Sequence, residues 1–196
     1  MKKYRVNEIF YSLQGEGRWA GRAACFVRFS GCNLKCPFCD TDFVAYEEME
    51  GEEILQRLYA LSVDCRMVVL TGGEPTLQVD EELIQLLHRG GYFITMETNG
   101  TRLVPKGVDW VTCSPKMAFV KNGTVVLQEA SEVKVVFDNR QPISACNIKA
   151  QYYYVQPCDT GNENENAEIL RATVKFVEEH PLWQLSLQLH KILHVR

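Results

Sequence analysis

The chain has no apolar run long enough to cross a bilayer, no excess of basic residues and no second close cysteine pair. Each absence removes a class of function. A spanning helix takes about 20 mostly apolar residues, so no membrane partner is expected. With 21 basic against 25 acidic residues the formal net charge is −4, which leaves no electrostatic footprint for nucleic acid or an anionic membrane surface. A small-molecule partner is expected instead. The opening Met-Lys-Lys-Tyr-Arg-Val-Asn-Glu lacks the apolar core of a signal peptide, so a cytoplasmic location is expected. Thiols stay reduced there, and eight cysteines then argue for metal binding over a disulfide framework. There is no internal repeat and no low-complexity tail. The 196 residues, 46% of them hydrophobic, suit one globular domain over 1–196.

The most informative stretch present is Gly31-Cys-Asn-Leu-Lys-Cys-Pro-Phe-Cys-Asp40. Its CxxxCxxC spacing lets a tight loop aim Cys32, Cys36 and Cys39 at one inorganic centre. A cubane iron–sulfur cluster usually takes four thiolates, so three leave one iron open to a small molecule. The competing reading is a structural zinc site, which needs four closed ligands; no second CxxC follows to complete one, and the His-x-x-x-His spacing of His190 and His194 stands far along the chain from the cysteine loop. Cys25, Cys65, Cys113, Cys146 and Cys158 are scattered, mostly in apolar strand-like contexts, and read as small buried hydrophobes.

Runs rich in Val, Ile, Phe and Tyr recur at 24–29, 67–71, 92–97, 109–113, 132–137 and 152–156 and predict buried strands. Between several of them apolar residues fall on one helical face: Ile54, Leu55, Leu58 and Leu61; Leu83, Ile84, Leu86 and Leu87; later Ile169, Leu170, Val174 and Val177. The alternation predicts an α/β fold of about six parallel β-α units, too few for a closed eight-stranded barrel. An open, partial TIM-like barrel is expected, with functional residues at the carboxyl ends of the strands. The cysteine loop follows 24–29, Gly72-Gly73-Glu74-Pro75 follows 67–71, Glu97-Thr98-Asn99-Gly100 follows 92–97, Ser114-Pro115-Lys116 follows 109–113, and Gln156-Pro157 follows 152–156. The polar stretch from Thr160 to Asn166 reads as a loop before the last long helix.

A cysteine loop after the first of these strands and Gly-Gly-Glu-Pro after the second resemble the radical S-adenosylmethionine superfamily. The resemblance implies a [4Fe-4S] cluster whose open iron is chelated by S-adenosylmethionine, and a deoxyadenosyl radical released on reduction. The cofactor then supplies the hard chemistry and the protein supplies binding and orientation. The run Asn7-Glu8-Ile9-Phe10-Tyr11-Ser12-Leu13-Gln14-Gly15-Glu16-Gly17, with Gly21, Phe26-Val27-Arg28-Phe29, Cys39-Asp40-Thr41 and the late Leu185-Ser186-Leu187-Gln188-Leu189-His190-Lys191, resembles the 7-carboxy-7-deazaguanine synthase family over nearly the whole chain.

That resemblance implies a carbon–nitrogen lyase of queuosine and 7-deazapurine biosynthesis, acting on a carboxylated pterin. It places the substrate edge at Leu13, Gln14 and Gly15, its carboxylate at Arg28, whose fork suits a bidentate contact, and a further contact at Thr71. It gives the side-chain oxygen of Thr41 to Mg2+, and Gly73 to the cofactor's methionine amine. Phe38, Cys39 and Asp40 fall near adenine and cluster, and Ser114, Pro115, Lys116, Gln156, Pro157, Cys158 and Asp159 fall in later cofactor-binding loops. The family's final residue reaches into its active site, which implies a main-chain contact from Arg196, although the ending His-Val-Arg departs from the family's small or proline endings. A homodimer and an external electron donor such as a flavodoxin are implied in the same way. Two alternatives compete: an activating enzyme that puts a glycyl radical on a partner protein, and a non-catalytic zinc or iron–sulfur module. His190 and His194, without a third ligand, read as solvated histidines of a terminal helix.

Overall fold

The computed structural model describes residues 2–39, 41–42 and 44–195. Nine strands form one sheet: β1 (Lys3–Leu13), β2 (Ala23–Phe29), β3 (Glu47–Glu50), β4 (Met67–Gly72), β5 (Phe93–Thr98), β6 (Trp110–Cys113), β7 (Glu132–Phe137), β8 (Tyr152–Pro157) and β9 (Trp183–Leu185), in the order β3-β1-β2-β4-β5-β6-β7-β8-β9. The seven strands from β2 onward, omitting β3, run parallel, whereas β1 pairs antiparallel with both β2 and β3. The sheet ends on β3 and β9, so the barrel is open. All six expected strands are present.

Three of the crossovers carry a long helix: α1 (Gly51–Leu61) before β4, α2 (Glu81–Arg89) before β5 and α3 (Glu163–Glu179) before β9. A short α4 (Leu189–Leu193) follows. On α3 only Ile169 of the expected face is buried, with Thr173 beside it, and Leu170 and Val174 are exposed, because this helix packs on the last two strands of the sheet, β8 and β9. On α1 and α2 the expected faces are the buried ones apart from Leu61, with Ile54, Leu55 and Leu58 on α1 and Leu83, Ile84, Leu86 and Leu87 on α2. They pack on Cys25, Val27, Phe29, Val68, Leu70, Ile94 and Met96, alternate residues of three adjacent strands. No helix separates β6, β7 and β8. There Cys113, Val133 and Val135 are covered by loop residues Val125, Leu127, Ile143, Ala145 and Ile148. This half of the barrel is walled by irregular chain, which explains why helical periodicity is missing between residues 114 and 151.

The same alternation shapes the inner face. Ala24, Phe26, Met67 and Val69 pack with Phe10 at the amino ends of the strands, and two residues further along β2 and β4 stand Arg28 and Thr71, which are register partners. The inner face therefore changes from apolar to polar toward the carboxyl ends. Among the described residues no helix is long and apolar enough to cross a membrane.

Candidate active site

A cleft of about 300 Å³ opens at the carboxyl ends of the strands. Six of the seven parallel strands deliver residues to it, all but β9: Phe26 and Arg28 from β2, Thr71 and Gly73 from the end of β4, Glu97 and Asn99 from the end of β5, Ser114 and Lys116 past β6, Lys134 and Val136 from β7, Gln156 and Cys158 from the end of β8. Cys32, Cys36 and Cys39 form one wall. None of the eight cysteines is in a disulfide.

Gly72 and Gly73 bring that wall close. A Cβ on Gly73 would lie 2.0 Å from the Gly31 carbonyl oxygen and 3.0 Å from Cys32 Cβ; only glycine lets β4 pass so near the cysteine loop. The Gly73 amide donates to Phe29 O (3.1 Å) and the Glu74 amide to Gly31 O (2.9 Å). The Leu34 amide points at Cys32 Sγ (3.4 Å), a donor of the kind that tunes cluster sulfurs. Phe38 packs edge-on against Phe119, centroids 4.7 Å apart. No trio of His, Cys, Asp or Glu among the described residues converges as one ion requires. Three thiols on one wall suit a cubane, in which each holds a different iron.

Across the cleft, Arg28 Nε donates to Glu8 Oε1 (2.9 Å) and Nη1 to Thr41 Oγ1 (3.3 Å), with the guanidinium over the Phe10 ring. The inner floor is a charged cluster. Lys134, with 5% of its side chain exposed, pairs with Glu16 and lies 3.9 Å from Glu97. Gln14 Nε2 donates to Glu97 (2.8 Å), while Gln156 and Gln188 donate to Glu16 (3.1 Å each). Burial alone would raise the Glu16 carboxyl, but the Lys134 ammonium more than offsets it and holds the group below the usual carboxylate range. Lys134 loses to burial too, yet the two carboxylates raise it. Among the described residues Lys116 has no carboxylate in contact: burial lowers it, and its ammonium donates to Ser114 O and Oγ.

Residues 26–120 match the model of the Radical SAM superfamily. A 7-carboxy-7-deazaguanine synthase of Bacteroides thetaiotaomicron is 46% identical over 98% of this chain and 98% of its own length, and one of Burkholderia multivorans is 37% identical over 98% and 99%. The crystal structure of QueE from Escherichia coli aligns with a TM-score of 0.76 at 26% identity, covering 95% of this chain and 94% of that one. The chain belongs to the 7-carboxy-7-deazaguanine synthase family. It is a radical S-adenosylmethionine enzyme.

For this member of the 7-carboxy-7-deazaguanine synthase family the structure gathers most of the residues expected from sequence. Leu13, Gln14, Gly15, Arg28, Cys32, Cys36, Phe38, Cys39, Thr41, Thr71, Gly73, Ser114, Lys116, Gln156, Pro157, Cys158 and Asp159 all line the one cleft. Pro115 is buried but off the cleft wall. Asp40 and Arg196 lie outside the described residues.

Sequence reasoning missed Lys134, Gln188 and the inward position of His190. His190 lines the cleft, over Gly15, whose carbonyl accepts from Leu189 N (3.0 Å); His194 is exposed, as expected. The available signal for Lys134 was its position: it is the middle inward residue of a strand flanked by the inward Glu132 and Val136. Of the five scattered cysteines, Cys25, Cys113 and Cys158 are buried and Cys65 and Cys146 are only partly so.

Proposed function

We propose that the chain converts 6-carboxy-5,6,7,8-tetrahydropterin to 7-carboxy-7-deazaguanine, a ring contraction with loss of ammonia in queuosine and 7-deazapurine biosynthesis. The observation that carries this reading is one cleft walled by three thiols and holding a guanidinium, Arg28, among hydrogen-bonding groups at Gln14, Gly15 and Thr71. A flat carboxylated heterocycle needs those groups; a protein backbone does not. This disfavours the glycyl-radical activating enzyme.

Cys32, Cys36 and Cys39 would hold the [4Fe-4S] cluster, and Phe38, Gly73, Ser114, Lys116, Gln156, Pro157, Cys158 and Asp159 surround the space for S-adenosylmethionine. When bound, cluster and S-adenosylmethionine supply the deoxyadenosyl radical. The chain's own residues orient the pterin: Arg28 takes its carboxylate, and Leu13 to Gly15 and Thr71 its edges. Among the described residues the cleft carries four cationic side chains (Arg28, Lys116, Lys134, Lys191) and three anionic ones (Glu16, Glu97, Asp159), and the cations suit carboxylated ligands.

Mg2+ at Thr41 would lie beside a guanidinium, since Thr41 Oγ1 accepts from Arg28. The cation gains a place only with the substrate carboxylate between the two, and hard cations of this kind accept substrate oxygens readily. Cys39 is exposed, which keeps the cluster edge within reach of an external electron donor such as a flavodoxin. A homodimer and a cytoplasmic location complete the reading. The exposed Tyr11 and Val195, beside Leu13, offer apolar surface for a second copy.

The decisive experiment incubates anaerobically reconstituted protein with the tetrahydropterin, S-adenosylmethionine, Mg2+ and dithionite, and reads the product by mass spectrometry. 7-Carboxy-7-deazaguanine is expected, and its absence while S-adenosylmethionine is still cleaved would move the chain to another substrate. Arg28→Ala is expected to weaken substrate binding at least tenfold, as loss of charged hydrogen bonds does, while uncoupled cofactor cleavage continues.

A further inference from the structure

Glu74 follows the two glycines and is fully buried, yet it does not line the cleft. A buried carboxylate is costly unless its oxygens are satisfied, and here four donors converge on it. Oε1 accepts from Thr76 N (3.0 Å), Thr76 Oγ1 (2.7 Å) and Thr98 Oγ1 (2.8 Å); Oε2 accepts from Asn99 N (2.8 Å). The Asn99 amide held in this way continues outward. Its Nδ2 donates to Asn33 Oδ1 (3.0 Å), Asn33 Nδ2 donates to Thr101 Oγ1 (2.8 Å), and Thr101 returns through N and Oγ1 to Asn99 Oδ1 (2.9 and 2.7 Å).

Asn33 is the residue after Cys32. Glu74 thus reaches the cysteine loop by two routes, through its own amide to Gly31 O (2.9 Å) and through Asn99 to Asn33, on either side of the first thiol. Tying the loop after β4 to the end of β5 needs only the first half of this chain of bonds. The extension to Asn33 spans 66 residues of sequence and ends on the loop that must hold thiolates at fixed positions.

We infer that Glu74 is a positioning residue for the iron–sulfur centre: its carboxylate sets Asn99, and Asn99 clamps the Cys32 limb of the loop. This rests on the reading of Cys32, Cys36 and Cys39 as cluster ligands. Glu74→Gln breaks the clamp at its root, because an amide has one acceptor oxygen and its NH2 group must then face Asn99 N–H or Thr76 N–H. Asn33→Ala breaks it at the exposed end without touching the core. Asn33→Asp keeps the acceptor that Asn99 uses.

The experiment reconstitutes each variant anaerobically and follows the loss of cluster absorbance to an iron chelator, with thermal unfolding of the cluster-free chains as control. Asn33→Ala is expected to lose its cluster about fivefold faster than the parent, the factor one net hydrogen bond supplies, with unchanged unfolding temperature, and Asn33→Asp is expected to recover most of the difference. Combining Glu74→Gln with Asn33→Ala is expected to add little to the faster single variant, as for two members of one network. If Glu74→Gln does not fold, the two Asn33 variants decide alone. Parental loss rates in Asn33→Ala, or effects of the two substitutions that multiply, would overturn the inference. A parent chain that takes up no cluster would overturn the cluster reading itself, and the inference with it.

Discussion

At Gly73 a single methyl group is enough to separate cofactor chemistry from folding. Its Cβ would meet backbone, the Gly31 carbonyl at 2.0 Å, and backbone cannot rotate aside as a side chain can. Gly73→Ala is therefore expected to push the cysteine loop outward and to cut iron content after reconstitution severalfold; full iron loading would show that the loop yields. Asp159 gives the residue scale a pH dependence. Lys191 Nζ (2.8 Å), the Gly161 amide and Asn166 Nδ2 hold its carboxyl at about 2, against 3.8 without them. Its contribution is fully present above pH 4 and is withdrawn as pH falls toward 2. Being exposed, it is screened and small. Asp159→Asn is expected to flatten the acid limb of the unfolding temperature between pH 4 and 2, and an identical limb would discard the Lys191 contact.

The elements follow rules of period and termination. Asp80 caps α2: its Oδ1 accepts from Leu83 N (3.1 Å) and from the Tyr4 hydroxyl (2.9 Å), and Oδ2 from Lys2 Nζ (2.6 Å). Asp80→Ala is expected to cost about 1–2 kcal/mol, measured by urea unfolding; no change would mean that Leu83 N–H finds water instead. Period explains what could be read in advance. Strands β2 and β4 and helices α1 and α2 carry strong apolar patterns, because each buries a face on its neighbours, and β7 and β8 were legible from their Val and Tyr runs although Glu132, Lys134 and Gln156 stand among them. β1 was legible only as a motif: its burial pattern mixes exposed and buried positions, since beyond Val6 it pairs with β2 alone and has no strand on its other side among the described residues. β3 carries three glutamates, and β9 is three residues long; neither has enough apolar residues to signal a strand. They form because the sheet offers them an unpaired edge.

For the whole molecule the critical segment is residues 14–18, which leaves β1 and crosses the inner face. Besides the bonds of Gln14 and Glu16, Gly17 N donates to Ser186 Oγ (3.0 Å) and Arg18 N to Glu132 Oε2 (2.9 Å). One short strip thereby joins the two ends of an open sheet, and Lys134 is its anchor. Lys134→Met leaves the nearly buried Glu16 and the partly exposed Glu97 without their cation and is expected to cost about 3 kcal/mol. In the parent, the lowered Glu16 carboxyl contributes stability above the ordinary carboxylate range and loses it as pH falls; the raised Lys134 contributes below the ordinary lysine range and loses it as pH rises. The variant is expected to regain unfolding temperature from pH 7 to pH 5 as the Glu16 carboxylate, raised by burial once its cation is gone, takes up a proton. A parental unfolding temperature at pH 7 would remove Lys134 from this role.

The sequence by itself determined the kind of chemistry, because three cysteines in eight residues and two glycines after a strand are local patterns whose spacing carries their meaning. It determined the parallel barrel as well, through periods of 2 and 3.6 that each element writes alone. Only the tertiary structure decided that Lys134 stands between Glu16 and Glu97, that His190 turns inward over Gly15, and that a buried Glu74 reaches Asn33. Those relations join residues far apart in the chain, and a charge or a hydrogen-bonding group shows no local period by which its distant partner can be found.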